Sequence, residues 1–302
     1  MFKRWLDSDF MYSLVRTPTA LISAVVCIIL AIGALGAPWI APTDPFDMAS
    51  IDLMNGFTPP LQANDFTGET FLLGTDDQGR DLYSAILHGL RISLFVGFAS
   101  VLLAMAIGIT LGLLAGYLGG WIDALIMRVA DIQMTFPSIL VAMLIYGIAR
   151  GILPPEARAD MAITVLILSI GLSEWVSFAR TVRGTSMVEK QKEYVTACRL
   201  IGLSHLNIMV RHILPNVINP ILVIATITLA LAIIAEATLS FLGVGAPPTE
   251  PSLGTLIRIG QDFLFSGQWW IIFFPAMTLL ALALAVNLLG DWLRDFFNPR
   301  LS

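Results

Sequence analysis

Two carboxylic acids, Glu174 and Glu236, lie inside long apolar runs of the sequence, and Asn287 lies inside another. An ionised side chain in the middle of such a run costs at least ~2.5–3.5 kcal/mol when lipid surrounds it, so each acid must be protonated, paired or turned to a polar interior. Two chemistries are open to them. One is hydrogen bonding between helices; the other is a proton relay, which calls for several acids aligned across the layer. Other reactive constellations are missing. The three lysines, Lys3, Lys190 and Lys192, never follow a glycine, so the sequence holds no G-x-x-x-x-G-K-[ST] phosphate loop. No G-x-S-x-G, H-E-x-x-H or G-x-G-D occurs either, and His88, His205 and His212 all fall outside the apolar runs. A hydrolase would therefore lack a nucleophile–base pair. Cys27 sits in an apolar run and Cys198 in a basic loop, with no C-x-x-C, which argues against a disulfide framework and against zinc. No catalytic residue, metal site or cofactor is expected on this chain.

The elements that must position these groups follow from composition. The 302 residues are 57% hydrophobic with 24 glycines, about 65% together, where a soluble domain has ~45–50%. Charged residues are 13%, about half the usual ~25%, and mean hydropathy is +0.81. So little polar surface cannot cover a water-soluble globule, and the chain is expected to lie in a lipid bilayer. A helix needs about 20 apolar residues to cross ~30 Å of hydrocarbon. Six runs qualify, at residues 20–39, 92–116, 132–149, 161–178, 218–242 and 270–290. Pro137 interrupts the third near its start and Asp131 flanks it. The alternating segments of an outer-membrane barrel are absent, so the fold class is all-α with six transmembrane helices.

The first run reads either as a cleaved leader or as a retained anchor, since Lys3, Arg4 and Arg16 precede it and Ala34, Gly36 and Ala37 close it. At roughly 19 residues it exceeds the ~7–15 of a leader's apolar region, and an anchor is expected. Twelve of the seventeen cations fall in the segments that are inside if the N-terminus is inside, and five (Arg80, Arg91, Arg150, Arg158, Arg258) fall in the others. That bias predicts both termini in the cytoplasm.

Two hydrophilic loops stand out. The outer loop, 38–90, carries Asp76, Asp77 and Asp81 among its acids, with Arg80 as its one cation before Arg91. It reads as a solvated loop or as a docking surface for an external partner. The inner loop, 180–216, holds six cations. Tyr194, Ala197, Cys198 and Ile201 follow helical spacing, then Gly202 offers a stop and Ser204 an N-cap. Leu206, Met209, Val210 and Ile213 repeat the spacing before Pro215 ends it. Two short amphipathic helices are thus predicted, and their apolar stripes must pack on the chain's own helices, lie in the lipid interface or fill a groove in a partner. A DNA-binding helix-turn-helix is disfavoured because membrane spans tether both sides, and no nucleic-acid partner is expected.

These inner-loop residues resemble a known family. The stretch EYVTACRLIG at 193–202, continuing to RHILPN at 211–216, resembles the E-A-A-x3-G-x9-I-x-L-P loop of ABC importer permeases. Ala197, Gly202, Leu214 and Pro215 match; Thr196, Cys198 and His212 replace the Glu, the second Ala and the Ile. LGTDDQGRD at 73–81, GGWID at 119–123 with MRVAD at 127–131, EATLSFLGVG at 236–245 and NLLGDWLRD at 287–295 are similar to the C-type permease of the dipeptide/oligopeptide group. The resemblance runs from about residue 73 to the C-terminus. It implies a type I importer permease fold, with an N-terminal segment at 1–90 and a permease domain at 91–302. It also implies a second, similar permease, two cytoplasmic ATPase subunits carrying ATP and Mg, and a periplasmic solute-binding protein, all at a bacterial inner membrane. The loop at about 189–216 would couple to the ATPase through Glu193, Tyr194, Ala197, Cys198, Ile201, Gly202, Leu206, Met209 and Pro215. Glu236 and Asn287 become candidates for the pathway or the permease–permease contact, and Asp76, Asp77, Arg80 and Asp81 for outer-loop contacts. The implied cargo is a short peptide, with nickel complexes and glutathione carried by relatives. A proton-coupled transporter resting on Glu236 and Glu174 is the alternative.

Overall fold

A computed structural model describes residues 9–47, 51–247 and 249–296; Lys3, Arg4 and Arg300 of the cation count lie outside these. In chain order the helices are α1 (Asp9–Arg16), α2 (Pro18–Ile40), α3 (Leu82–Leu118), α4 (Gly120–Met134) and α5 (Ser138–Ile152). Then follow α6 (Ala162–Glu189), α7 (Glu193–Leu200), α8 (His205–Phe241), α9 (Leu253–Gln261) and α10 (Trp270–Phe296). Apart from end residues and a break in the third, the expected apolar runs are helical, because backbone polar groups in lipid must find partners within their own segment. Helices α2, α3, α6, α8 and α10 are each long and apolar enough to cross a membrane.

The third run departs from a straight helix. Helices α4 and α5 meet at 97° across residues 135–137, and they make a sixth span only if the bent pair counts as one. Pro137 supplies no N–H and its ring blocks the preceding turn, so α4 stops and α5 restarts. Helix α6 runs on to Glu189, beyond the expected end near 178, which places Glu174 close to mid-helix. Helix α8 also corrects the sequence reading. It has no stop at Pro215, because the widened π turn Ile208–Ile213 leads directly into the α-helical stretch that begins at Leu214. Pro215 sits in the first turn of that stretch, where a missing N–H is tolerated.

Helices α3 and α6 form the tightest pair. Gly108, Gly112 and Gly116 recur every fourth residue on α3, facing α6. An added Cβ would lie 2.4 Å from Phe178 Cβ, 2.6 Å from Ala179 O and 2.7 Å from Arg183 O respectively, so only glycine allows this approach. Leu166, Ile170, Phe178 and Val182 of α6 are fully buried there, in a core that also takes in Val195, Ile208 and Ile213. A second core joins α2, α3, α8, α9 and α10 through Ala34, Leu90, Ile233, Leu253 and Ile271. The Phe10 ring of α1 stands 5.0 Å from Trp292 and 5.3 Å from Phe296, so the first and last described helices meet at one end of the bundle.

Candidate functional site

The inner loop is built as a rigid bracket with an apolar tip. Helix α7 ends in a Schellman motif: Gly202 N–H donates to Arg199 O (3.0 Å) and Leu203 N–H to Cys198 O (3.1 Å). Gly202 has φ +80°, a left-handed conformation that glycine adopts at no steric cost. Ser204 caps the next helix as expected, its hydroxyl accepting from Asn207 N–H (3.4 Å). The faces differ from the predicted stripes. On α7 the buried face is Tyr194, Val195 and Cys198, which leaves Ala197 and Ile201 facing outward, and Glu193 lies exposed in the first turn. After the turn, the π segment shifts the phase, so Ile208, Met209, Ile213 and Val217 point in while Leu206, Val210 and Pro215 point out. The result is a cluster of exposed apolar side chains astride the Gly202 turn: Leu200 (84% exposed), Ile201 (74%) and Leu206 (67%).

This bracket is fixed to two spans. Tyr194 Oη donates to Glu189 Oε2 (2.8 Å) at the end of α6 and to His212 O (3.3 Å), while Lys192 Nζ donates to Glu189 Oε1 (2.6 Å). Burial, together with the Glu189 carboxylate that accepts its hydrogen bond, pushes the Tyr194 phenol up to about 12, so it is a donor at every physiological pH. Lys190 Nζ donates to the carbonyls of Gly116 and Tyr117 (both 3.1 Å), satisfying the C-terminus of α3. Tyr117 in turn hydrogen-bonds His205 Nδ1 (3.0 Å), and the Arg199 guanidinium lies 5.2 Å from its ring centroid. The tip is therefore tied to the ends of α3 and α6.

The candidate residues of the outer loop are placed differently from an exposed contact set. Asp76 is buried and receives Arg80 Nε (2.6 Å), Arg80 N–H (3.0 Å) and Gln78 N–H (2.9 Å). Asp81, also buried, caps α3 by accepting from Ser84 N–H (3.0 Å). Trp270 Nε1 donates to Thr75 O (3.0 Å), tying this turn to the start of α10. Asp76, Arg80 and Asp81 thus hold the loop's own scaffold. Asp77 stands at its edge, with Oδ1 buried and without a partner, and burial beside Asp76 raises its carboxyl above the usual range.

Among the intramembrane polar groups, Glu236 is fully buried and accepts from Ser93 of α3 and Ser240 of α8 (both 2.7 Å). Ser93 Oγ also accepts from Leu253 N–H (3.3 Å), so Glu236 knits three helices inside this chain. Asn287, in contrast, faces outward from α10. Among the described residues, no group of three or more His, Cys, Asp or Glu is placed to hold a metal ion. Sequence reasoning missed Leu200, Val195 and the Gly108-x3-Gly112-x3-Gly116 stripe. The last was open to view as a small-xxx-small repeat.

Comparison with known proteins gives this geometry a context. Residues 108–302 match the family described as binding-protein-dependent transport system inner membrane component. Residues 5–60 match the N-terminal TM domain of oligopeptide transport permease C. The dipeptide transport system permease protein DppC of Haemophilus influenzae is 38% identical, over 97% of this chain and 95% of its own length. A di/tripeptide transport system permease protein DppC of Pseudomonas aeruginosa is 37% identical, over 97% and 92%. The glutathione transport system permease protein GsiD of Pectobacterium atrosepticum is 36% identical, over 97% and 91%. In structure, a chain of the inward-facing MetNI methionine ABC transporter superposes with TM-score 0.54 at 20% identity, covering 71% of this chain and 96% of that one, which supports the fold. These likenesses favour an ATP-driven importer component over a proton-coupled carrier. The chain belongs to the binding-protein-dependent transport inner membrane component family, as a multi-pass ABC importer permease of the bacterial inner membrane.

Proposed function

We propose that this permease forms half of a pathway for short peptides, beside a second, similar permease, and that the bracket at about 189–216 takes up the stroke of two cytoplasmic ATPase subunits. The observation that carries the reading is the apolar tip of Leu200, Ile201 and Leu206 on a loop whose other face is locked into the bundle. Three large apolar side chains held together above a glycine turn need a partner surface, and a groove on another protein meets that need. The chain lacks a phosphate loop of its own, so ATP and Mg²⁺ are assigned to the partner subunits. Both termini then lie in the cytoplasm, on the side of the bracket, in keeping with the cation bias and with the meeting of α1 and α10. A periplasmic solute-binding protein would deliver cargo at the outer loop. Because three of the four candidate outer-loop side chains are engaged internally, its contact would use the loop's exposed apolar residues, such as Leu61 (74%) and Phe66 (79%).

The peptide assignment rests on relatives named for dipeptide, di/tripeptide and glutathione transport. The test is uptake into proteoliposomes holding the co-purified complex, with ATP inside and solute receptor outside. ATP-dependent accumulation of a labelled dipeptide is the expected result. Accumulation by this chain alone, without ATP and under a pH gradient, would refute the reading.

A further inference from the structure

We propose that the break between α4 and α5 faces the water-filled pathway and that Glu174, behind it, meets the protonated amino group of the passing solute. The second half rests on the reading of that solute as a short peptide. Residues 135–137 break the bent apolar pair α4–α5, and the carbonyls of Thr135 and Phe136 accept no hydrogen bond among the described residues. Non-helical backbone at membrane depth is tolerated where it is buried in protein or lines water, because each unpaired group facing lipid costs several kcal/mol. This stretch is not buried in the chain: Met134 (55%) and Phe136 (59%) stand out from its surface, and Thr135, Pro137 and Ser138 are exposed too.

The break is held against one particular part of α6. Gln133 Nε2 donates to Leu172 O (3.0 Å) and Ser173 O (2.9 Å), while Gln133 Oε1 accepts from Trp175 Nε1 (2.9 Å). These three bonds bracket Glu174, whose half-buried side chain lies near Ser138 at the start of α5. Even one hydroxyl partner would leave most of a carboxylate's roughly four acceptor positions open. The neighbouring cations of α6 are engaged elsewhere, Arg180 with Asp131 and Arg183 with Asp123 (Nη2–Oδ2 2.7 Å). Among the described residues Glu174 has no ion pair. Glu236 provides the contrast, since two serines and full burial give it a structural role. A half-open carboxylate suits an ammonium, which brings three donors and no acceptor.

The test uses the complete importer in nanodiscs and in proteoliposomes. Phe136→Cys is treated with small cationic and anionic thiol reagents of equal size, and modification is read at that residue by mass spectrometry. The cationic reagent is expected to react about fivefold faster, with the preference lost in the Phe136→Cys/Glu174→Gln double variant. No reaction with either reagent, in any nucleotide state, would overturn the aqueous placement, and equal rates would overturn the role of Glu174 in setting the local charge. In uptake, Glu174→Gln is expected to slow entry of a free-amine dipeptide about tenfold while the assembled complex still hydrolyses ATP, with Glu174→Asp restoring part of it. Unchanged uptake by Glu174→Gln would overturn the amine contact. Charge-selective labelling in a parent complex that shows no ATP-driven peptide uptake would instead refute the importer reading and leave the aqueous break standing.

Discussion

The apolar tip yields a sharp expectation for Leu200→Ser and Ile201→Ser. Fully burying a leucine or isoleucine stabilises a contact by ~1.5–3 kcal/mol. With 84% and 74% of their surfaces open, nearly all of that area remains for a partner to cover. Losing one side chain should therefore weaken ATPase binding by about 1.5–2 kcal/mol, or roughly 10–30-fold in Kd. The permease itself should hardly notice, because substitutions at exposed positions stay within about ±0.5 kcal/mol. Val195→Ser is the control on the same helix: Val195 is fully buried, so this change should lower the unfolding temperature of the permease. The assay is titration of nanodisc-held permease pair with labelled ATPase, alongside thermal unfolding of the permease alone. Leu200→Ser and Ile201→Ser variants that bind within twofold of the parent would refute the docking argument, whatever happens to Val195→Ser.

Gly112→Leu should force α3 and α6 apart, costing at least ~1–3 kcal/mol and reducing folded yield, as monitored by protease resistance in membranes. Arg80→Ala leaves Asp76 buried without its cation and should destabilise the outer loop by about 3–5 kcal/mol, measured as faster cleavage between residues 50 and 80. Glu236→Leu strips Ser93 and Ser240 of their acceptor and should cost ~1–3 kcal/mol in thermal stability, with Glu236→Gln closer to the parent. Asp77 has a raised carboxyl, so the folded loop binds its proton more tightly than the unfolded chain does, and stability falls as pH rises through that value. Asp77→Asn should therefore stabilise the loop at neutral pH and make no difference below about pH 3, where both states are protonated.

The membrane-spanning character was legible because hydrophobic length is a strong signal, and the motifs at 73–81 and 193–216 led to the family. What escaped the sequence is local phase. The spacing of Leu206, Met209, Val210 and Ile213 assumed 3.6 residues per turn, but the π turn shifts the face and buries Ile208 instead. Pro215 reads as a stop, yet a widened turn before it lets the helix continue. Charge was the other blind spot. Asp76, Arg80 and Asp81 read as surface because charges seldom lie buried unless paired, and their pairing and capping became visible only in three dimensions. Leu200 lay off the expected stripe, so the most exposed side chain of the tip drew no attention.

One feature of α3 bears on how the two sides of the membrane communicate. Its 37 residues span about 55 Å at 1.5 Å each, from the Asp81 cap under the outer turn to the carbonyls gripped by Lys190 within the bracket. On the proposed reading, receptor arrival outside and nucleotide state inside would act on opposite ends of this one continuous helix. A tilt imposed at one tip would then travel along the helix backbone itself to the other.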